Sequence, residues 1–363
     1  MKIDIIAGAR PNFIKVASII DAINRKSEGR IKYRLIHTGQ HYDAKMSGNF
    51  FDQLGIPKPD INLQVGSGTQ AEQTAGIMLK YERVLLENKC DYCLVVGDVT
   101  STLATSVVAK KMGAKVIHVE AGIRSGDISM PEEVNRIVTD SITDLFFTTT
   151  IEASENLLKS GVVRNAIHFV GNTMIDTLLK NMDRLRKPML WDEIGLVEKD
   201  FFLLTLHRPS NVDSHSDLKA ILTAIVNCSM GRPVIFPVHP RTLKSIEVLD
   251  HSFNNIHFVE PLDYLEFIYL LKKTMAVITD SGGITEEATV LGVPCMTLRD
   301  STERPETCTV GTNVLLGTNP QALEPAFKRL FENQWPKGKI PALWDGHTGD
   351  RIVDVLSGLL KTF

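Results

Sequence analysis

No apolar run in the 363-residue chain approaches the roughly 20 residues that a bilayer-spanning helix needs. The opening MKIDIIAGARPN is broken by Pro11 too early for a secretory leader, so a cytoplasmic location is expected. An excess of one charge is also missing. Lys and Arg total 40 against 43 Asp and Glu, a net charge of -3, which gives no reason to expect nucleic acid or an anionic membrane as a partner. Any anion must therefore be gripped locally. Cysteines are few and odd in number: Cys90, Cys93, Cys228, Cys295 and Cys308 suit a reducing compartment better than a disulfide framework. Cys90-Asp-Tyr-Cys93 forms a C-x-x-C, but it leads into an expected strand instead of standing at a strand-to-helix turn. With no second C-x-x-C to complete a zinc site, neither redox nor metal chemistry is expected there. The first strand is not followed by G-x-G-x-x-G, and no P-loop G-x-x-x-x-G-K-[ST] occurs anywhere. Repeats, low-complexity segments and long linkers are absent too.

What the chain does contain is an alternation of short β-branched apolar runs with longer amphipathic stretches, the pattern of a parallel sheet covered by helices on both faces. Strands are expected at 3–6, 33–37, 93–96, 115–119, 145–148 and 167–170, with helices over 13–24, 71–88 and 102–112. A second series runs through 201–206, 234–238, 256–259, 276–279, 295–298 and 313–315. The length allows two domains with separate cores. They join somewhere in 171–200, a helical, charged stretch interrupted by Pro188, and a last helix over 350–360 could pack on either. The expected architecture is two doubly wound Rossmann-like α/β domains facing a cleft, with ligands outside the carboxyl ends of the strands.

Those strand ends carry the chemistry. Gly8-Ala9-Arg10-Pro11-Asn12-Phe13-Ile14-Lys15 brings Arg10 and Lys15 to a helix N-terminus, where free N–H groups favour anions. An anion site and solvated surface charge both remain open readings. Asp98 follows the strand ending at Val96, and Asp is also a favoured N-cap for the helix expected from Thr102. Glu120 ends the next run, VIHVE, where Glu is a poor cap and is rarely buried without a partner. If the two strands are neighbours, about 4.8 Å apart, both carboxylates share one small volume. The pair then serves acid–base chemistry, or it serves capping and an ion pair with Arg124 or Arg136. Glu132 and Glu133 follow Pro131 in the first turn of a helix, which macrodipole preferences alone would explain. In the second half, His207 and His239 each stand just past a strand with an Arg close behind. Ser281-Gly282-Gly283 breaks a strand and opens a helix, so backbone N–H groups can approach a phosphate, with Glu287 one turn on at ribose distance.

Taken together, these stretches resemble the non-hydrolysing UDP-N-acetylglucosamine 2-epimerases. The resemblance rests on GARPNFIK at 8–15, TGQHYD at 38–43, GDVTSTLA at 97–104, HVEAGIRSGD at 118–127, PEEVNR at 131–136, TDSGGITEEA at 279–288 and RDSTERPE at 299–306. It implies a glycosyltransferase-B-type fold: an N-terminal domain over 1–171 with the acid cluster, a UDP-binding domain over 172–345, and a C-terminal helix in 346–363 that crosses back to the first. It also implies reversible conversion of UDP-N-acetylglucosamine to UDP-N-acetylmannosamine by elimination of UDP through a 2-acetamidoglucal, with no cofactor, no metal and a homodimer. On the same basis Asp98, Glu120 and Glu132 are the acid/base set and His207 assists at the diphosphate. Arg10, Lys15, Ser281, Gly282, Gly283 and Arg304 hold phosphates, Glu287 the ribose and the segment around Phe267 the base. Arg136 and His239 complete the candidate substrate ligands.

Some positions depart from the family pattern. Asn12 stands where Glu is usual, HRPSN replaces HRRES at His207, and Leu262 replaces a common glutamine. Gln40-His41-Tyr42-Asp43 stands where many bacterial members carry Q-H-R-x-M, part of a site for an activating second UDP-N-acetylglucosamine. Rival expectations are a hydrolysing relative releasing N-acetylmannosamine and UDP, a glycosyltransferase needing an acceptor site but no acids around C2, and a non-catalytic nucleotide-sugar sensor.

Overall fold

The structure is a computed structural model that describes residues 1–39, 51, 53–238, 246 and 253–360. His239 and the 40–43 segment lie outside the described residues. The chain divides into two compact units, residues 1–180 with 342–363, and residues 181–341.

In the first unit seven parallel strands follow the order β3-β2-β1-β4-β5-β6-β7. They are β1 (Lys2–Ala7), β2 (Lys32–His37), β3 (Ile61–Asn62), β4 (Tyr92–Val96), β5 (Lys115–Val119), β6 (Leu145–Thr148) and β7 (Ile167–Phe169). The central strands are apolar on both faces because helices cover both: every residue of β4 is buried. The helices start where local chemistry says they should. Thr69 caps the Gln70–Glu87 helix, its hydroxyl accepting from the Glu72 N–H at 3.2 Å while the Glu72 carboxylate accepts from the Thr69 N–H at 2.8 Å. Pro11 sits in the first turn of the Arg10–Lys26 helix, and Arg25 and Lys26 occupy its last turn.

The last helix, Thr348–Leu359, packs on Arg10–Lys26 within this unit. Gly349 permits that approach, since a Cβ there would lie 2.6 Å from the Ser18 carbonyl oxygen. Its N–H donates to Asp176 at 2.7 Å, and Trp344, fully buried, donates from Nε1 to the Thr149 carbonyl. These anchors bring 342–363 into the first unit, and the division in the middle of the chain falls after the Thr173–Lys180 helix.

In the second unit six parallel strands follow β10-β9-β8-β11-β12-β13. They are β8 (Phe202–Thr205), β9 (Val234–Pro237), β10 (Ile256–Val259), β11 (Ala276–Thr279), β12 (Cys295–Thr297) and β13 (Asn313–Leu315). Phe202, Leu204, Phe236, Ile278 and Phe327 form the centre of its core. In both units the first strand starts in mid-sheet, and the chain winds outward first one way and then the other. The strand order therefore reverses between β1 and β4, and again between β8 and β11, and at such a switch point the loops diverge and leave a crevice at the carboxyl ends. No helix among the described residues is long and apolar enough to cross a membrane, and no cluster of His, Cys, Asp and Glu among them could hold a metal.

Candidate active site

The switch point of the first unit carries the acids. β4 and β5 are paired in parallel with Val96 opposite Val119, so Asp98 and Glu120 emerge from the ends of neighbouring strands. Glu120 is 3% exposed and has a left-handed backbone, φ 70°, a conformation that costs a non-glycine residue about 1–3 kcal/mol. Its N–H and that of Ala121 both donate to the Phe147 carbonyl, which fixes the bend and turns the side chain toward β4. There Lys15 Nζ donates to Glu120 Oε2 at 2.7 Å. Gly97, φ 67°, lies against this pair: a Cβ on it would stand 3.1 Å from Lys15 Nζ and 3.6 Å from Glu120 Oε2. Lys15, a candidate phosphate ligand, is thus drawn to an acid, while Arg10 is the first residue of its helix.

Asn12, the departure from the family's Glu, is buried and useful. Its Oδ1 accepts from the Gly8 and Ala9 N–H groups at 3.1 and 2.9 Å, and its Nδ2 donates to the Val96 carbonyl at 3.2 Å. It ties the turn after β1 to the end of β4.

Asp98 does not cap a helix. The helix after it begins at Thr100, its N-cap is Val99, and no side chain caps it. The Asp98 carboxylate instead forms a short ion pair with Arg136, and Asn135 donates to its carbonyl oxygen at 2.8 Å. The two adjacent glutamates of the Pro131–Ile142 helix separate in role. Glu133 is buried and accepts from the Ser125 and Gly126 N–H groups at 3.0 and 3.1 Å and from Arg136 at 2.8 Å. Burial would raise its pKa, but these donors win and hold it below the usual range. Glu132 is half-buried, and among the described residues no side-chain hydrogen bond or ion pair reaches it. Arg124 pairs with Asp140 at 2.7 Å, not with Glu120, and Asp140 also meets His118 Nδ1 at 2.7 Å. The opposite ring nitrogen of His118 meets the Gly97 carbonyl at 2.9 Å. This buried network braces the turn that carries Asp98.

The switch point of the second unit carries cations and a helix start. His207 follows β8, Asp280 follows β11, and the two strands pair with Thr205 opposite Thr279. Asp280, fully buried, lies 2.8 Å from His207 Nδ1 and accepts from the His207 and Arg208 N–H groups and from Asn211. Burial pushes its carboxyl up, but His207 and the other donors outweigh that and leave it below its ordinary range. The His207 side chain is 56% exposed. With Nδ1 committed to Asp280, Nε2 is the ring nitrogen left for a further hydrogen bond.

Ser281 is the extended N-cap of the Gly282–Leu291 helix and makes no side-chain cap bond. A Cβ at Gly282 would lie 3.0 Å from Glu303 Oε1 and 3.8 Å from Arg299 Nη1, so glycine is what allows the guanidinium and carboxylate to close over the helix start. Gly283 continues that first turn. Arg304 is buried on Glu286 at 2.9 Å, and Arg299 on Glu303 at 2.6 Å. Glu287, 4% exposed, accepts from the Tyr264 hydroxyl at 2.9 Å. Burial, aided by the Glu286 charge and opposed by Tyr264, pushes its carboxyl up to about 8. Phe267 is half-buried on the Tyr264–Lys273 helix, the same helix that supplies Tyr264.

Asp280, Tyr264 and Asn135 carry no site role in the sequence pattern, and Glu133 reads there only as a first-turn acid. Asp280 was within reach: it ends a strand beside the one that leads to His207, the reasoning that joined Asp98 to Glu120. The C-x-x-C thiols are both buried. Burial raises Cys90 to about 12 and pushes Cys93 up as well.

The sequence model of the family described as UDP-N-acetylglucosamine 2-epimerase matches residues 22–357. The UDP-N-acetylglucosamine 2-epimerase of Methanocaldococcus jannaschii is 42% identical over 367 residues, 98% of this chain and 99% of that one. Its crystal structure in complex with UDP-GlcNAc and UDP superposes with a TM-score of 0.87 at 41% identity, covering 99% of this chain and 100% of that one. The UDP-2,3-diacetamido-2,3-dideoxy-D-glucuronate 2-epimerase of Pseudomonas aeruginosa is 42% identical over 364 residues, 99% of this chain and 100% of that one. With two parallel Rossmann-like sheets of glycosyltransferase-B type and acids and cations at their switch points, the chain belongs to the UDP-N-acetylglucosamine 2-epimerase family and is an epimerase.

Proposed function

We propose that the chain interconverts UDP-N-acetylglucosamine and UDP-N-acetylmannosamine without net hydrolysis. The observation that carries this reading is the pair Asp98 and Glu120 at the ends of adjacent strands, with Glu132 close by in sequence on a helix whose next residues grip Asp98. A C2 proton with no adjacent carbonyl is too weakly acidic for simple abstraction, so loss of the nucleotide must assist. One carboxylate takes the C2 proton while the C1–O bond breaks, its electron pair leaving with UDP and the C2–H pair forming the C1–C2 double bond of 2-acetamidoglucal. Another acid returns a proton to the opposite face of C2, and UDP adds back at C1.

The leaving diphosphate needs cations and N–H groups aimed where charge develops. His207, held by Asp280, and the Ser281-Gly282-Gly283 helix start are proposed for this, with Arg10, Lys15, Arg304 and His239. Lys15 and Arg304 already serve carboxylates, so they would share their protons with the phosphate. Glu287 is proposed for the ribose and the helix bearing Phe267 for the base. The enzyme is proposed to work in the cytoplasm as a homodimer without a cofactor, making an activated sugar for polysaccharide synthesis. Light scattering should give twice the 40.3 kDa chain mass.

The activity of the Pseudomonas relative favours a second reading, in which the sugar carries a 3-acetamido group and a 6-carboxylate. Separate incubation with UDP-N-acetylglucosamine and with the diacetamido glucuronate nucleotide, with products resolved by NMR, tests both. Conversion of the first to UDP-N-acetylmannosamine, without free N-acetylmannosamine, is expected. Turnover of the uronate alone would establish the second reading, and accumulating free sugar and UDP would establish hydrolysis.

A further inference from the structure

We propose that Arg136, counted above among the candidate substrate ligands, is a positioning residue that aims the carboxylate of Asp98. Its side chain is 4% exposed, and both arms are already used on protein acids. Nη1 donates to Glu133 Oε2 at 2.8 Å and Nη2 pairs with Asp98 Oδ2. Glu133 cannot follow a moving partner, because the Ser125 and Gly126 N–H groups hold both its oxygens. Spacing of three residues along one helix puts Glu133 and Arg136 on the same face. The preceding residue, Asn135, grips the Asp98 carbonyl at 2.8 Å, and His118 holds the Gly97 carbonyl at 2.9 Å. The backbone around Asp98 is therefore fixed from α-helix and strand alike, and the direction of its side chain is set by Arg136.

A substrate diphosphate could recruit Arg136 only by displacing a carboxylate and stranding it, which buried ion pairs resist. Lysine could not replace the arginine, since a point charge cannot bridge two acids with fixed fork geometry. Aim matters because a misplacement of about 1 Å at a reacting group costs on the order of 100-fold in rate.

The inference rests on the epimerase reading, and the test separates the two. Wild type, R136K, R136M and the double variant E133Q/R136M are compared for hydrogen exchange at C2 of UDP-N-acetylglucosamine, for UDP affinity by calorimetry, and by crystallography. The double variant keeps the site free of a lone buried Glu133 charge should R136M fold poorly. R136M and the double variant are expected to lose about 100-fold in kcat and R136K about 10-fold, with UDP affinity within about threefold of wild type. The Asp98 side chain should leave its wild-type direction in each. In a further variant, R136A, whose truncated side chain leaves room for it, added guanidinium should raise activity at least about tenfold. Affinity for UDP falling in step with kcat would make Arg136 a substrate ligand and overturn the proposal, as would an unmoved Asp98 carboxylate. A wild type without C2 exchange would sink the epimerase reading, while the crystallographic result still decides the role of Arg136.

Discussion

Replacing Glu287 with Gln removes a buried titration while keeping size and the oxygen that accepts from Tyr264. In the folded chain burial raises this carboxyl from its ordinary 4.5 to about 8. Between those two values the folded state binds a proton that the unfolded state has released, so wild-type stability falls as pH rises, and the full penalty stands above about pH 8. At about 1.4 kcal/mol per pH unit the shift corresponds to about 5 kcal/mol; solvent relaxation around buried charge makes about 2–5 kcal/mol the working range. E287Q carries no such term. Urea unfolding followed by tryptophan fluorescence at pH 5 and pH 8.5 should therefore show the variant close to wild type at the lower pH and about 2–5 kcal/mol more stable at the higher. Thermal midpoints should diverge over the same range by about 3–7 °C. Function should move the other way. Ribose hydroxyls donate best to an ionised carboxylate, so UDP binding at pH 7.5 should release roughly three-quarters of a proton more from wild type than from E287Q, measured by calorimetry in buffers of different ionisation enthalpy. A stability gap independent of pH would refute the reasoning.

Three further outcomes are expected. Gly97→Ala forces a Cβ to within 3.1 Å of Lys15 Nζ at φ 67°, and should cost about 1–2 kcal/mol in urea unfolding and disturb the Lys15–Glu120 pair enough to cut exchange at C2; full activity would contradict the packing described. Asp280→Asn should lower kcat by about 10- to 100-fold by releasing His207. It should also remove acid sensitivity: the stabilisation from Asp280 is fully present above its ordinary 3.8 and is lost as pH falls through its lower folded value, so the gap between variant and wild type should close in strong acid. Cys90 and Cys93 should resist iodoacetamide at pH 8 in the folded enzyme, as read by mass spectrometry, and their rapid alkylation would contradict the raised thiol values.

The strands were legible because a parallel sheet covered on both faces writes itself as short, unbroken apolar runs. Ile61–Asn62 escaped because two residues at a sheet edge carry no periodicity. Asp98 and Glu120 stood out by position, and the strand pairing that joins them could be stated as a condition before any coordinates. Their partners could not. Whether Arg124 or Arg136 answers an acid depends on how the Pro131–Ile142 helix lies across the strand ends, and the structure sends Arg136 to Asp98, Arg124 to Asp140 and Lys15 to Glu120. Glu132 and Glu133 look alike in sequence because both suit a first turn; only the loop folding back at Ser125 and Gly126 distinguishes them. The raised Glu287 carboxyl likewise has no local signal, since it comes from burial in the folded unit, and even its hydrogen-bond partner Tyr264 stands more than twenty residues away.

The central claim is that the acids at the ends of β4 and β5 move a proton at C2 of a UDP-sugar. Its most direct test is to incubate wild type and E120Q with UDP-N-acetylglucosamine in deuterium oxide and follow C2 by NMR. The account predicts UDP-N-acetylmannosamine deuterated at C2 with the wild type and at least about a hundredfold slower deuterium entry with E120Q. Stoichiometric release of free UDP by the wild type, or undiminished exchange in E120Q, would contradict it.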